Sequence, residues 1–208
     1  MTSIPSISDD ELLSDEQLVS RAQAGAKDAF NRLILRHQRR LFRFLSSNAK
    51  CAADAEDALQ RALLKAYLKL SSYNPKWRFT TWLFTIALRE LRTLNRRAIA
   101  AATSLQLLDR AAPAVKDHAP GELWAVAKRL LKSQHYTALW LRYGEDLPAR
   151  DIAKILKRPR IWVSVTLHRA CATLRESINS DAGWAGPTIP PQDHRPSTTL
   201  HRTARGVL

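Results

Sequence analysis

Across 208 residues, 33 Lys and Arg outnumber 19 Asp and Glu, for a formal net charge of +14. That excess points to a polyanionic partner, nucleic acid or an acidic membrane surface, and charge alone does not choose between them. Two distant cysteines, Cys51 and Cys171, exclude a disulfide framework and a zinc-ligand spacing, and no apolar run approaches the roughly 20 residues that span a bilayer.

Residues 1–13 read as a polar lead. The opening "MTSIPSISDDELLSDEQ" has neither a basic n-region nor an apolar core, so no signal peptide is expected and the setting is read as cytoplasmic. From Ser14 to Arg97 the patterning is helical almost throughout. "SDEQLVSRAQAG" begins with Ser14 and Gln17 in a capping-box arrangement and closes at Gly25. "KDAFNRLILRHQRRLFRFLSSNA" spaces Phe30, Leu33, Ile34, Leu41, Phe42 and Leu45 at helical intervals.

The third helix, "DAEDALQRALLKAYLKL", places Leu59, Ala62, Leu63, Ala66, Tyr67 and Leu70 in a buried stripe. Asp57, Arg61, Lys65 and Lys69 step by four along its outside, acid first and base last, which complements the helix dipole. An acidic cluster of Asp54, Glu56 and Asp57 is nonetheless unexpected on the surface of so basic a chain. Asn74-Pro75 in "SSYNPKWR" marks a turn, and "FTTWLFTIALRELRTLNRR" resumes a helix whose distal end carries Arg89, Arg92, Arg96 and Arg97.

Residues 98–121, Ala-rich with two prolines, the second of them in "PG" at Pro120-Gly121, read as a linker with transient helix in its first half. A second helical unit covers 122–178, and 179–208, with four prolines and almost no apolar periodicity, reads as a disordered tail. The expected fold is all-α: two small helical domains, a flexible linker and a tail.

Within the second unit, a helix over Ala149 to Leu156 follows Pro148, and "KRP" breaks it before a longer helix from Arg160 to about Ile178. A short helix, a tight turn and a longer helix form the helix-turn-helix layout, whose last helix enters a DNA major groove. On that helix Ile161, Val165, Leu167 and Leu174 serve as core, while Ser164, Thr166, His168 and Arg169 face out. Arg158 and Arg160 stand in or beside the turn, where arginine serves phosphate contacts and guanine reading. A plain helical hairpin with solvated arginines is the alternative from this unit alone.

Taken together, "DAEDALQRALLKAYLKL", "FTTWLFTIALRELRTLNRR" and "DLPARDIAKILKRPRIWVSVTLHRACATLR" resemble the extracytoplasmic-function sigma factors, the compact members of the sigma-70 family. The resemblance covers roughly 14–97, which would be region 2, and 122–178, which would be region 4. It implies that the acidic helix docks on the clamp of core RNA polymerase through Asp54, Asp57, Gln60, Arg61 and Leu64, charge complementarity setting register. It implies that Ser72, Asn74, Trp77 and Arg78, with Phe79 and Trp82 of the family's "FxTW", meet a melted minus-10 element. Arg89, Arg92, Arg96 and Arg97 would track its phosphates. Region 4 would read a minus-35 duplex through Arg158, Arg160, Ile161, Ser164, Thr166, His168 and Arg169.

Three departures from the family pattern stand out. Arg61 replaces an acid often found after the Gln, Arg89 and Thr93 stand where Asn and Asp are common, and "IWVSVT" replaces a Gly-Thr-Val-Lys-Ser-Arg sequence. Fewer basic groups there imply a shallower salt dependence for that domain.

The resemblance implies a non-catalytic initiation subunit with no cofactor and no metal. Its partners would be core RNA polymerase, promoter DNA and an anti-sigma factor, with no membrane and no small-molecule substrate. Two other classes remain: a stand-alone helix-turn-helix regulator of duplex DNA, and a basic helical adaptor for membranes or acidic proteins.

Overall fold

Ser14 caps the first helix in both directions. Its hydroxyl accepts the Gln17 amide at 3.3 Å while its own amide donates to Gln17 Oε1 at 2.8 Å, so two of the orphan donors of helix α1 (Asp15–Gln23) are satisfied. Gly25, with φ of 100°, then turns the chain into α2 (Lys27–Asn48) in a conformation that side chains disfavour. In this computed structural model, residues 13–104 and 121–180 are described. Most of the polar lead, the linker from 105 to 120, and the tail from 181 lie outside the described residues.

Helix α3 (Ala52–Leu68) buries Ala55, Ala58, Ala62 and Ala66, a stripe of small side chains that lets α2 and α4 (Phe79–Ser104) approach it closely. Phe44 packs on Phe84 with ring centroids 5.0 Å apart, among Leu18, Leu33, Leu41, Leu45, Leu83 and Leu91. Helix α4 runs on to Ser104, into the stretch read as linker.

The second unit comprises α5 (Glu122–Leu130), α6 (Ser133–Leu139), a π-helical turn (Trp140–Gly144), α7 (Ala149–Leu156) and α8 (Arg160–Ser180). Trp140 packs against Trp124 with the rings tilted and their centroids 4.5 Å apart, and a Cβ on Gly144 would meet the Trp140 ring at 3.0 Å, so the turn accepts only glycine without a shift. The turn between α7 and α8 is a Schellman motif. Lys157 is left-handed (φ 54°), its amide donates to the Lys154 carbonyl, and the Arg158 amide donates to the Ala153 carbonyl. Every regular element among the described residues is helical and none is a strand, as the all-α expectation requires.

Three packing expectations are corrected. Tyr67 is exposed at 47%, because the alanine stripe and not the bulky residues of α3 faces the core. In α8 the inward register is Val163, Thr166, Ala170 and Leu174, which leaves Ile161 and Val165 on the surface. Thr166, placed outward by the pattern, is therefore buried against the core of its own unit and unavailable to a base edge.

The two units touch. Helix α4 packs on α7, and the fully buried Glu145 carboxylate accepts from Arg40 Nε of α2 at 2.5 Å and from Trp140 Nε1 at 3.1 Å. Thr137 Oγ1 donates to Asn48 Oδ1 at 2.7 Å, and Lys128 Nζ to the Ala49 carbonyl at 3.1 Å.

Candidate nucleic-acid interface

The outer face of α3 is neither bare acid nor wholly polar. Asp57, Gln60, Leu64, Tyr67 and Leu68 are all exposed and follow one another at helical spacing, with Arg61 half-buried between them. Leu64 and Leu68 are exposed at 60% and 67%, and Asp57 Oδ2 accepts from Arg61 Nη2 at 3.4 Å, so part of its charge is met internally. Asp54, half-buried, sits in the first turn, where an acid favours the helix dipole. Tyr67 and Leu68 were missed by sequence reasoning. The run of small residues opposite them was the available signal, since an alanine-lined helix must turn its bulky residues outward.

Beyond α3, a single 3-10 turn (Leu70–Ser72) leads into the loop "SYNPKWR". Gln23 of α1 holds this loop, donating its side-chain amide to the carbonyls of Leu70 at 2.9 Å and Tyr73 at 3.3 Å. Asn74 closes an Asx turn onto the Lys76 amide at 2.9 Å, and the Tyr73 hydroxyl donates to the Trp77 carbonyl. Ser72, Asn74 and Arg78 are exposed on this fixed loop, and Trp77 is half-buried.

Phe79 and Trp82 differ in accessibility. Phe79 is buried at 2% exposure, between Tyr73 and Trp82 (centroids 6.0 and 5.6 Å) and beside His37 at 5.4 Å. It supports the loop and offers no face for a base. Trp82 keeps part of its ring open while packing on Tyr73 at 5.3 Å.

Arg89, Arg92, Arg96 and Arg97 are exposed along α4, and the first three line a cleft closed on its other side by Ile155 and Lys157. The Arg92 guanidinium is destabilised as a cation, first by desolvation and then by the Arg158 charge nearby, so its pKa is lowered. Lys154 Nζ sits 4.8 Å above the Trp77 ring, a cation–π contact from the second unit onto the loop of the first. Neither Lys154 nor Lys157 was singled out from the sequence, because nothing local says that α7 packs on α4.

On the second unit, Arg160, Ile161, Ser164, His168 and Arg169 project from the outer side of α8. Arg158 donates to Gln134 Oε1 at 3.0 Å and lies 5.3 Å above the Trp162 ring, so the turn preceding α8 is pre-positioned. Among the described residues, no group of three His, Cys, Asp or Glu side chains is placed to hold a metal, and no helix is long and apolar enough to cross a membrane.

Residues 33–99 match the family model "Sigma-70 region 2". The RNA polymerase sigma-H factor of Pseudomonas aeruginosa is 30% identical over 181 residues, 79% of this chain and 92% of that protein. The chain belongs to the extracytoplasmic-function sigma factors of the sigma-70 family. The ECF RNA polymerase sigma-E factor of Escherichia coli is 39% identical over 77 residues, a match confined to 37% of this chain and 40% of that one. Among solved structures, the sigma factor RpoE of Bartonella quintana, in complex with the anti-sigma factor NepR, superposes with a TM-score of 0.63. That match covers 73% of this chain and 98% of that one at 22% identity, which speaks to fold alone. As a member of this family, the sigma factor described here directs RNA polymerase to promoters.

Proposed function

We propose that the exposed stripe of α3 is the surface by which this sigma factor docks on core RNA polymerase. The observation that carries this reading is the mixed character of that stripe: Asp57 and Gln60, then Leu64, Tyr67 and Leu68. Apolar groups beside an acid suit a protein surface with basic and apolar elements, whereas nucleic acid would repel the acid. Asp54 and Arg61 flank the stripe and tune its charge.

With the chain so docked, the loop at Ser72, Asn74, Trp77 and Arg78 meets the opened minus-10 strand. Capturing an extruded base there offsets the cost of unstacking, and Trp82 lends a partly open ring. Arg89, Arg92, Arg96 and Arg97 follow the phosphates. Arg160, Ser164, His168 and Arg169 read a minus-35 duplex, with Arg158 and Ile161 at the backbone edge. The chain itself contributes no covalent step and works in the cytoplasm. An anti-sigma factor is the expected inhibitor, by analogy with the NepR complex of the Bartonella relative.

A promoter duplex with 2-aminopurine in the minus-10 element tests the reading. Core polymerase plus this chain should raise its fluorescence, and Trp77→Ala should abolish most of the rise while leaving core binding intact. Fluorescence unchanged from core alone would remove the melting role.

A further inference from the structure

We propose that the cleft between α4 and α7 is a binding site for a short polyphosphate, held jointly by Arg89, Arg92 and Arg96 of the first unit and Lys157 of the second. The cleft, half open to solvent, holds about 380 Å³. That lies at the lower end of small-ligand pockets, which run roughly 300–1,000 Å³, and is too small for a DNA duplex.

All four charged groups lining it are cations, and none has a carboxylate within ion-pairing distance among the described residues. Like charges brought together repel unless a counter-charge is supplied. Here they are held together by contacts elsewhere: the Arg40–Glu145 bond and Lys154 over Trp77 keep α7 against α4. The energetic tension has a local sign in Arg92, whose charged form is already disfavoured by desolvation and by Arg158.

The arrangement suits phosphate in particular. Arg89, Arg92 and Arg96 recur at i, i+3 and i+7, so their guanidiniums share one helix face and span about 10 Å of axis. Guanidinium forks take phosphate oxygens in pairs, and a chain of linked phosphates meets several forks at once. Thr85, Leu88, Ile155 and Thr93, whose hydroxyl donates to the Arg89 carbonyl at 2.9 Å, make up the uncharged part of the lining.

A polyphosphate seated there bridges both units. It thereby stabilises the arrangement in which Lys154 covers Trp77 and the arginine edge is walled in. It competes with the minus-10 strand; that consequence rests on the function proposed above, while the binding itself does not.

Calorimetric titration of the full chain with inorganic tripolyphosphate at fixed ionic strength decides the matter. Saturable binding of about one equivalent is expected. Arg92→Gln and Lys157→Asn, the latter suited to the left-handed backbone, should each weaken it by about tenfold or more, the worth of one charge-assisted contact. Arg175→Gln, on the exposed side of α8 and outside the cleft, should leave it unchanged. Absence of saturation, equal weakening by Arg175→Gln, or dependence on Arg92 without Lys157 would each overturn the proposal. A chain that binds tripolyphosphate in this way yet supports no transcription with core polymerase would sink the docking reading and leave the site standing.

Discussion

Arg40 Nε, on α2, donates to Glu145 Oε2 at 2.5 Å, across a separation of 105 residues and from one helical unit to the other. The same arginine donates through Nη2 to the Glu145 carbonyl, and Arg43 approaches the carboxylate at 3.5 Å. Glu145 has no exposed side-chain surface, so a carboxylate that is free in an opened chain is wholly desolvated in the closed one. Such a charge is tolerated only while its partners stay in place.

A double-mutant cycle on Arg40→Ala and Glu145→Gln should therefore show coupling of about 1–3 kcal/mol in urea unfolding, below the fully buried range because Arg40 is itself partly solvated. Each single change should loosen the two units, read as a larger radius of gyration by small-angle scattering. Additive effects would mean that the pair does not hold the units together.

Asp15 contributes to the acid limit of the first unit. It accepts from His37 Nε2 at 2.7 Å and from Arg36 Nη1 at 2.7 Å, and the His37 bond is the largest of the influences that hold its carboxyl below the ordinary value of 3.8. A depressed carboxyl stabilises the fold above its unfolded pKa and loses that contribution as pH falls through the folded value. The wild-type chain should thus lose stability below about pH 4. Asp15→Asn should be less stable at neutral pH and should show a shallower acid limb by thermal melting. Parallel acid limbs would contradict the assignment.

The register of α8 separates two threonine and arginine phenotypes. Arg169→Ala should relax or weaken minus-35 reading by about 1–3 kcal/mol in a binding assay on duplex DNA, as expected for one lost base-edge or phosphate contact. Thr166→Val, buried against the core of its own unit, should leave the DNA sequence preference unchanged and shift only the melting temperature. A changed preference in Thr166→Val would mean that the helix rotates on binding.

Much of the fold was legible because its signals are local. Ser14 with Gln17, Gly25, and Pro148 before an eight-residue helix fix ends of elements through caps and dihedral limits that each residue carries with it. The facing of α8 was not legible. Ile161, Trp162, Val163, Val165 and Leu167 put apolar groups on every side, so periodicity alone does not select a core face.

The candidate site divides the same way. Its charged edge, Arg89 through Arg97, was visible as spacing. The exposed Tyr67 and Leu68 and the covering lysines Lys154 and Lys157 depend on which faces the tertiary packing leaves free, and no local pattern records that.

The central claim is that the stripe on α3 carries this sigma factor onto core polymerase. Run-off transcription from a pool of genomic promoters, with the purified chain and bacterial core enzyme, tests it most directly. Selective initiation by the wild-type chain, lost on Asp57→Arg in a variant that still melts cooperatively at the wild-type temperature, is the predicted result. Selective initiation that survives Asp57→Arg and Leu64→Glu together would contradict it, and would move the docking surface off α3.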